Sequence, residues 1–364
     1  MSQPSLWYTR CPVPTAFSLA VHLGWLDDEF RAEGISVQSL LQSENRAIRE
    51  SHFDHTAANS FRHGGNTPPL WARSVENDVR LIGLSWTEQP QVLLALPDSG
   101  IKSPSDLKGR RLALPRRTRD TIDFWKAQSL HFYQTALAST GLTLADVELV
   151  DLPIERRFID GSGKPSKDGS LWNAAQLRAN QREEIFALIQ GKVDVIASGG
   201  PRALENIANL GAHVVYDLAQ EPHRIGQTSN SFPYTLTVSE TLLQKNPELV
   251  VRVLVRVLEA AEWAKTHHAE TVRVVALELG VAEEFVESAF GAKLSQQLDV
   301  DLSSENIAAL QVRKDFLLKH GFLPKDFDLT AWIDTSPLAE AKRILRERAG
   351  RKVSKKREPS LATA

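Results

Sequence analysis

Short apolar runs alternate with longer amphipathic segments along most of the chain. The runs at 35–40, 79–84, 91–96, 147–152 and 234–238 have the length and the apolar character of strands. Segments whose apolar residues recur at helical spacing lie between them, at 16–26, 123–140, 181–190 and 247–266. This alternation predicts an α/β fold with mixed, mainly parallel sheets and flanking helices.

Polar turn segments at 97–100 and 227–231 adjoin predicted strands and are candidate domain junctions. If the chain crosses at both, lobe I consists of residues 1–97 and 233–345, and lobe II of residues 98–232. Two lobes that share two connecting strands form a hinge, and the cleft between them is the expected ligand site.

Two polar segments carry no clear functional signal. Residues 160–170 are rich in Gly, Ser, Lys and Asp, but they lack the spacing of a phosphate-binding loop, so we expect a mobile loop there. The segment 342–364 holds nine Lys and Arg against two Glu. Because such ends are usually solvated, we expect residues 346–364 to be a disordered basic tail.

Composition excludes several functional classes. The 364 residues carry a formal charge of −2, which gives no positive field for nucleic acid. No apolar run is long enough to cross a bilayer, and the N-terminus lacks a secretory pattern, so we expect a cytoplasmic protein with no membrane partner. The single cysteine, Cys11, excludes an internal disulfide and zinc sites built on paired cysteines.

Two segments resemble the solute-binding lobes of transport systems: Asp106-Leu107-Lys108-Gly109-Arg110 before a strand, and Gly191-Lys192-Val193-Asp194 before another. They imply a fold like that of the type II periplasmic binding proteins. The N-terminal third is more specific, because Cys11-Pro12-Val13-Pro14, His52-Phe53 and Arg62-x-Gly64-Gly65-x-x-Pro68-Pro69-Leu70 resemble the 2′-hydroxybiphenyl-2-sulfinate desulfinase family. Arg10 and the long polar segment 154–181 depart from that family's pattern.

The resemblance implies a set of functional residues. Cys11, His52 and Arg62 would be catalytic, Arg62 and the Gly65 N–H would bind the sulfinate, and Phe53, Trp125 and Trp172 would contact its organic half. The implied reaction is hydrolysis of an aryl sulfinate to the arene and sulfite, without a metal or an organic cofactor. We expect a monomer whose partner is the small-molecule substrate. Cys11 would act as a nucleophile or as a proton donor, and sequence alone does not separate these roles.

Each of these residues also has a simpler interpretation. Arg62 would ordinarily be a surface arginine in an ion pair, Cys11 an inert buried thiol, and the aromatic residues part of the packing. A metal site built from His52, His55 and His63 is a weaker alternative, because no carboxylate or second cysteine lies at matching ligand spacing.

Two other functions remain open at this point. A non-catalytic protein that binds a small sulfonate-like or sulfinate-like anion is the main alternative, and a thiol hydrolase acting on an ester or an amide is the other.

Overall fold

The computed structural model describes residues 5–159 and 181–357, with side chains as far as residue 350. Its strands are β1 (Leu6–Arg10), β2 (Val37–Ser39), β3 (Ser60–Gly64), β4 (Arg80–Ser85), β5 (Gln91–Ala95), β6 (Arg111–Arg117), β7 (Glu148–Ile154), β8 (Ile196–Gly199), β9 (His213–Asp217), β10 (Tyr234–Val238) and β11 (Val300–Asp301). Its helices are α1 (Ala16–His22), α2 (Trp25–Arg31), α3 (Arg46–Asp54), α4 (Thr67–Ser74), α5 (Phe124–Ala138), α6 (Arg182–Ile189), α7 (Gly200–Leu210), α8 (Glu240–Lys245), α9 (Pro247–Ala264), α10 (His268–Leu279), α11 (Glu283–Phe290), α12 (Ser304–Lys319), α13 (Leu329–Trp332) and α14 (Ser336–Arg357). The predicted α/β class is therefore confirmed.

One lobe is built on a six-stranded sheet with the order β11-β4-β10-β3-β1-β2. The amphipathic helix α9 covers it with a face that includes Val250, Leu254 and Val257, all of which are buried. Helices α1 and α14 pack against α9, so this core holds the strands β1 and β3 firmly in place.

The other lobe contains the sheet β8-β5-β9 and the strand pair β6-β7. A parallel bridge between Leu112 and Val195 links the two. Helix α5 packs on them through residues that include Phe132 and Tyr133. The Tyr133 hydroxyl donates a hydrogen bond to the Ala113 carbonyl at 2.6 Å, which ties the helix to β6.

Strand direction corrects one detail of the sequence prediction. In the part of the chain that the structure describes, five strand pairings are antiparallel and three are parallel, so the sheets are mixed but not mainly parallel. The antiparallel pairings in the larger sheet involve β10 and β11, and those in the smaller sheet involve β5. Hydrophobic patterning predicts a strand without giving its direction.

The pairing of strand β5 shows that the chain crosses between the lobes earlier than predicted. The strand pairs with β8 and β9, although the junction expected at 97–100 assigned it to lobe I. The crossing therefore lies between the end of β4 at Ser85 and the start of β5 at Gln91. The return comes before Tyr234, where β10 joins the larger sheet, close to the second junction expected at 227–231.

Two predicted segments end differently from expectation. The helix expected over 16–26 is split, because Gly24 has the left-handed φ of 73° and α2 begins after it. The basic tail expected from residue 346 begins inside α14, where Arg348 forms an ion pair with Glu259 at 2.9 Å. Residues 358–364 lie outside the described part of the chain.

None of the helices in the described ranges is long and apolar enough to span a membrane.

Candidate active site

A cleft of about 200 Å³ lies between the two lobes. The larger-sheet lobe contributes Cys11, His52, Phe53, Arg62 and Gly65 to its wall, and Trp125 comes from the facing lobe. These are all of the site residues predicted from the sequence except Trp172, which lies outside the described residues. Residues far apart along the chain are thus brought together at one place.

Cys11 and Arg62 meet because β1 and β3 are adjacent parallel strands. Thr9 stands beside Arg62 in the strand register, and Cys11 follows the end of β1. The Cys11 N–H donates to the His63 carbonyl at 3.1 Å, which continues the ladder by one residue. In open α/β sheets, ligands bind just beyond the carboxyl ends of the strands, which is where the thiol lies.

The Arg62 guanidinium is held by three hydrogen bonds. Its Nε donates to the His52 carbonyl at 3.0 Å, its Nη1 to the Gly65 carbonyl at 2.7 Å, and its Nη2 to the Cys11 Sγ at 3.2 Å. A guanidinium has five N–H groups, so these bonds leave one N–H on each terminal nitrogen. The arginine is thus fixed in position and retains donors for a ligand in the cleft.

The positive charge of Arg62 has no carboxylate beside it. The residue is 2% exposed, and among the described residues no Asp or Glu contacts it. Burial lowers the pKa of Arg62, and the charge of the Cys11 sulfur opposes this effect. A buried cation without a counterion is costly, so the site favours an anion in the cleft. The reading of Arg62 as a surface ion-pairing arginine is therefore wrong.

His52 lies on α3 and faces the same sulfur. Its Nε2 is 3.8 Å from the Cys11 Sγ, and its Nδ1 is 2.7 Å from the Thr9 hydroxyl. Burial, together with the charge of Arg62 and the nearby His55, lowers the pKa of His52 well below its usual range. The imidazole is therefore neutral near pH 7. Thr9 accepts from Nδ1–H in one tautomer and donates to Nδ1 in the other, so Nε2 either accepts from the thiol or donates to a thiolate.

His55 and His63 are also buried and neutral. Burial and the charge of Arg62 lower the pKa of each to about 3. The His63 Nε2 is 3.0 Å from the Ser85 hydroxyl, and the His55 Nδ1 is 3.1 Å from the Phe53 carbonyl. No group of three His, Cys, Asp or Glu side chains in residues 5–159 and 181–350 is arranged to hold a metal ion. The two histidines thus act as uncharged packing and hydrogen-bonding groups.

Gly64 allows the thiol to lie against the end of β3. A Cβ at this position would be 2.7 Å from the Cys11 Cβ and would overlap the Cys11 Sγ. At the next residue, a Cβ would be 2.6 Å from the Asn230 Nδ2. The Gly65 N–H forms no hydrogen bond with the rest of the described chain. It is therefore available to a ligand.

Aromatic rings form the apolar wall of the cleft. Phe53 stacks on Phe124 with ring centroids 5.9 Å apart, and Phe158 stacks on the His52 imidazole at 6.1 Å. The buried Arg117 guanidinium lies 5.0 Å from the centre of the Trp125 ring and forms an ion pair with Asp120. Both Phe53 and Trp125 are thus parts of a packed cluster that also faces the cleft.

Arg10 adjoins Cys11 in the sequence, but its side chain pairs with a carboxylate and not with the thiol. Its Nε is 2.7 Å from a carboxylate oxygen of Glu278, and His22 is 3.0 Å from the other oxygen. Burial alone would raise the pKa of Glu278, but Arg10 and His22 lower it overall. This ion pair largely cancels the charge of Arg10.

Several residues that line or support the cleft were not predicted. They are Thr9 behind His52, Phe124 and Phe158 in the aromatic wall, Gln91 at the start of β5, and Arg202 near the start of α7. Gln91 could have been found from the sequence, because it is a polar residue at the edge of an otherwise apolar strand. No sequence pattern indicates Phe158, since it follows β7 in an irregular segment.

The two-lobed fold and its interlobe cleft define a protein of the periplasmic-binding-protein-like class. The model of the family described as NMT1/THI5 like matches residues 12–161. The periplasmic aliphatic sulphonate binding protein SsuA from Escherichia coli has the same fold, with 18% identity, a TM-score of 0.65, and coverage of 92% of this chain and 93% of that one.

Within that class, the chain is similar to 2′-hydroxybiphenyl-2-sulfinate desulfinase. It is 28% identical to the protein from Rhodococcus erythropolis over 351 residues, which cover 90% of this chain and 91% of that protein. The crystal structure of a cysteine-to-serine mutant of the enzyme DSZB in complex with biphenyl-2-sulfinic acid is 26% identical, with a TM-score of 0.76 and coverage of 93% and 99% of the two chains. The resemblance inferred from the sequence is confirmed.

The contact between Gly64 and Cys11 predicts what happens when a methyl group is added at position 64. Gly64→Ala is expected to displace the Cys11 side chain and to destabilise the fold by about 1–3 kcal/mol, as overpacking of a filled site does. Denaturant unfolding and the rate of Cys11 alkylation would measure both effects. Gly100→Ala is a suitable control for the loss of a glycine with positive φ, because a Cβ there has no neighbour within 4 Å. An unchanged alkylation rate in Gly64→Ala would contradict the described contact.

The buried neutral histidines predict an acid-sensitive fold. In the unfolded chain His55 takes up a proton below pH 6.5, whereas in the folded chain its pKa is about 3. The free energy of unfolding should therefore be unaffected above pH 6.5 and fall between pH 6.5 and 3, by about 2 kcal/mol per such histidine between pH 7 and 5. Urea titrations at the two pH values would measure the fall.

A matched variant isolates the contribution of His55. His55→Asn suits the left-handed backbone at this position, whose φ is 57°. The variant should show a smaller loss of stability between pH 7 and 5 than the parent protein does. An identical loss in the two proteins would contradict the assignment of a neutral His55.

Proposed function

We propose that this protein is a cysteine-dependent desulfinase that hydrolyses an aryl sulfinate to the arene and sulfite. The observation that carries the proposal is the buried Arg62 guanidinium, which has no carboxylate partner in the described chain and donates to the Cys11 Sγ at 3.2 Å. The similarity to the Rhodococcus desulfinase over nine-tenths of the chain supports the same reaction.

A sulfinate suits the charge and the donors of this site. It is a compact anion with two oxygens on one sulfur atom, and a guanidinium donates to two such oxygens in a fixed geometry. The remaining N–H groups of Arg62 and the Gly65 N–H would bind these oxygens. Substrate binding would then place an anion beside the buried cation, which offsets the cost of its desolvation.

The aromatic wall suits the organic half of the substrate. Phe53, Phe124, Trp125 and Phe158 line the cleft and offer both ring faces and ring edges. Rings that stack or meet edge to face gain about 0.5–1.5 kcal/mol beyond the area that they bury. An aryl sulfinate would therefore be preferred over an alkyl sulfinate of similar size.

Two chemical routes are consistent with these residues. In the first, the Cys11 thiolate attacks the sulfinate sulfur, the C–S bond breaks as the proton lost by the Cys11 thiol reaches the ring carbon, and a thiosulfonate-like Cys–S–SO2⁻ intermediate forms. Water then attacks that sulfur, which releases hydrogen sulfite and returns the proton to the Cys11 sulfur. His52 would hold the thiolate through its Nε2–H tautomer.

In the second route, the Cys11 thiol protonates the ring carbon that bears the sulfur, and the C–S bond electrons become those of the new C–H bond. The departing SO2 combines with water to give hydrogen sulfite and a proton, and this proton restores the thiol. His52 would accept the thiol hydrogen bond in its Nδ1–H tautomer, with Thr9 as partner. The routes differ in whether Cys11 carries a covalent adduct during turnover.

A second candidate function is binding of a sulfonate or sulfinate without chemistry. It is favoured by the fold that the chain has in common with the aliphatic sulphonate binding protein of Escherichia coli. A binding protein has no need of a thiol that contacts both a buried arginine and a neutral histidine, so we prefer the enzyme.

Sulfite release tests the proposal directly. Wild-type protein should release sulfite from at least one aryl sulfinate of a small panel, and Cys11→Ser should release none, because no second cysteine is present to replace the thiol. Cys11→Ser should still bind the sulfinate, since Arg62 and Gly65 remain. Tight binding by the wild-type protein with no sulfite from any member of the panel would support the binding protein instead.

Replacing Arg62 separates a role in the site from a role in stability. Arg62→Gln should lower kcat/KM by about 10²–10³, the usual effect of removing a donor that stabilises developing charge. Its melting temperature should not fall, because the change removes an uncompensated buried charge. Arg10→Gln is the matched control, since Arg10 adjoins Cys11 in sequence but pairs with Glu278. A lower melting temperature with unchanged turnover per folded molecule would contradict the proposed role of Arg62.

A further inference from the structure

Gln91 has a buried side-chain amide without a partner. The residue starts β5, lines the cleft on the lobe opposite Cys11, and is 2% exposed. Neither its Nε2 nor its Oε1 forms a hydrogen bond with any described residue. A buried amide without hydrogen-bond partners is destabilising. In a cleft, a ligand that accepts from the Nε2 would remove part of this cost.

The neighbouring glutamines differ from Gln91 in this respect. The Gln89 Nε2 donates to the Tyr234 hydroxyl at 2.7 Å, and the Gln181 Nε2 donates to the Ala197 carbonyl at 2.8 Å. The Gln181 Oε1 accepts from the Ser198 hydroxyl at 2.8 Å. These two side chains line the same cleft but have partners within the protein. Unlike Gln89 and Gln181, Gln91 has no hydrogen-bond partner for its amide among the described residues.

The start of α7 lies beside Gln91. The antiparallel pairing of β5 with β8 places Gln91 opposite Gly199, the residue that precedes the helix, and no side chain caps this end. The backbone N–H of Arg202, the third residue of this helix, forms no hydrogen bond with any described residue. Exposed N–H groups at the start of a helix favour an anionic acceptor.

The charge of the cleft points the same way. None of its described lining residues is Asp or Glu, whereas Arg62 lines one side and Arg202 the other. Arg202 forms an ion pair with Glu205, so it balances that carboxylate and adds little net charge. The cleft thus has a buried cation on one lobe, and on the other an uncapped helix start beside an unpaired amide.

We propose that Gln91 and the first turn of α7 form a second anion subsite, which binds an oxygen-bearing group on the far end of the substrate. The substrate class is then an aryl sulfinate that carries a carboxylate on its organic half. The sulfinate lies at Arg62, and the carboxylate accepts from the Gln91 Nε2 and from the Arg202 N–H. This assignment rests on the proposed desulfinase function for the sulfinate end.

Binding affinities test the subsite separately from turnover. Benzenesulfinate, its hydroxy derivatives and its carboxy derivatives are titrated into Cys11→Ser protein by calorimetry, so that no turnover interferes. At least one carboxy isomer should bind about tenfold more tightly than benzenesulfinate, because hydrogen bonds to a charged group contribute about 1.5–3 kcal/mol. A hydroxy isomer that equals or exceeds every carboxy isomer would overturn the preference for an anion.

Variants locate the effect at Gln91. The quantity compared is the affinity for the carboxy compound divided by the affinity for benzenesulfinate. In Cys11→Ser/Gln91→Leu this ratio should fall towards one. In Cys11→Ser/Gln91→Glu it should fall below one, because the glutamate and the ligand carboxylate repel each other. Gln220→Leu is the matched control on the same lobe, since Gln220 is exposed and does not line the cleft. A ratio that the Gln91 variants leave unchanged would overturn the proposal.

Failure of the two proposals is distinguishable. If wild-type protein releases no sulfite while the carboxy compound retains its advantage in binding, the desulfinase is wrong and the subsite holds. If sulfite is released but all members of the panel bind equally to Cys11→Ser protein, the subsite is wrong and the desulfinase holds. The affinity ratio measured in Cys11→Ser protein separates the two failures even if a Gln91 variant does not fold.

Discussion

The buried charge of Arg62 is the constraint on which the site depends. A guanidinium removed from water requires hydrogen-bond acceptors for its N–H groups and negative charge nearby. The chain supplies two backbone carbonyls and one sulfur atom, but among the described residues no carboxylate. The two carbonyls accept hydrogen bonds from Arg62 and fix the orientation of its guanidinium plane, but they do not neutralise its charge. The positive charge therefore remains available to the thiol or to an anion in the cleft.

The surrounding structure preserves this charge. The imidazoles next to Arg62 remain neutral because they are buried and because a second positive charge beside the guanidinium would be repelled. The adjacent Arg10 is balanced by Glu278. The pairing of β1 with β3 fixes the sulfur beside the guanidinium through backbone geometry, so the contact does not depend on a flexible loop. Beside the thiol, the described part of the cleft thus presents a fixed cation without a carboxylate partner.

Much of the fold follows from local patterning, and the parts that do not have identifiable reasons. The apolar face of α9 and the Thr15 side chain that caps α1 are both visible in the sequence. The directions of β5 and β10 are not, because an apolar run has the same pattern in either direction. Gly24 breaks the predicted first helix because its left-handed backbone starts a new one, although isolated glycines also occur within helices.

The site was harder to derive from residues alone. Patterning favoured a surface role for Arg62, since the lack of a carboxylate partner is a property of the folded chain. The grouping of Cys11, His52 and Arg62 came from the family resemblance, which supplied a spatial relation that spacing along a chain does not contain. Thr9 and Gln91 belong to the site because of their burial and because one has a hydrogen-bond partner and the other has none among the described residues. Neither property can be predicted from the sequence pattern.

The packing of Gly64 against Cys11 also bears on how such proteins diverge. A Cβ at position 64 would overlap the β-carbon of residue 11 as well as its sulfur. The steric need for this glycine therefore persists when the thiol is lost, provided that residue 11 keeps any side chain. Among relatives with this fold, a binding protein and an enzyme would retain the same glycine. Gly64 is thus required by the packing of the strand end, whichever side chain residue 11 carries.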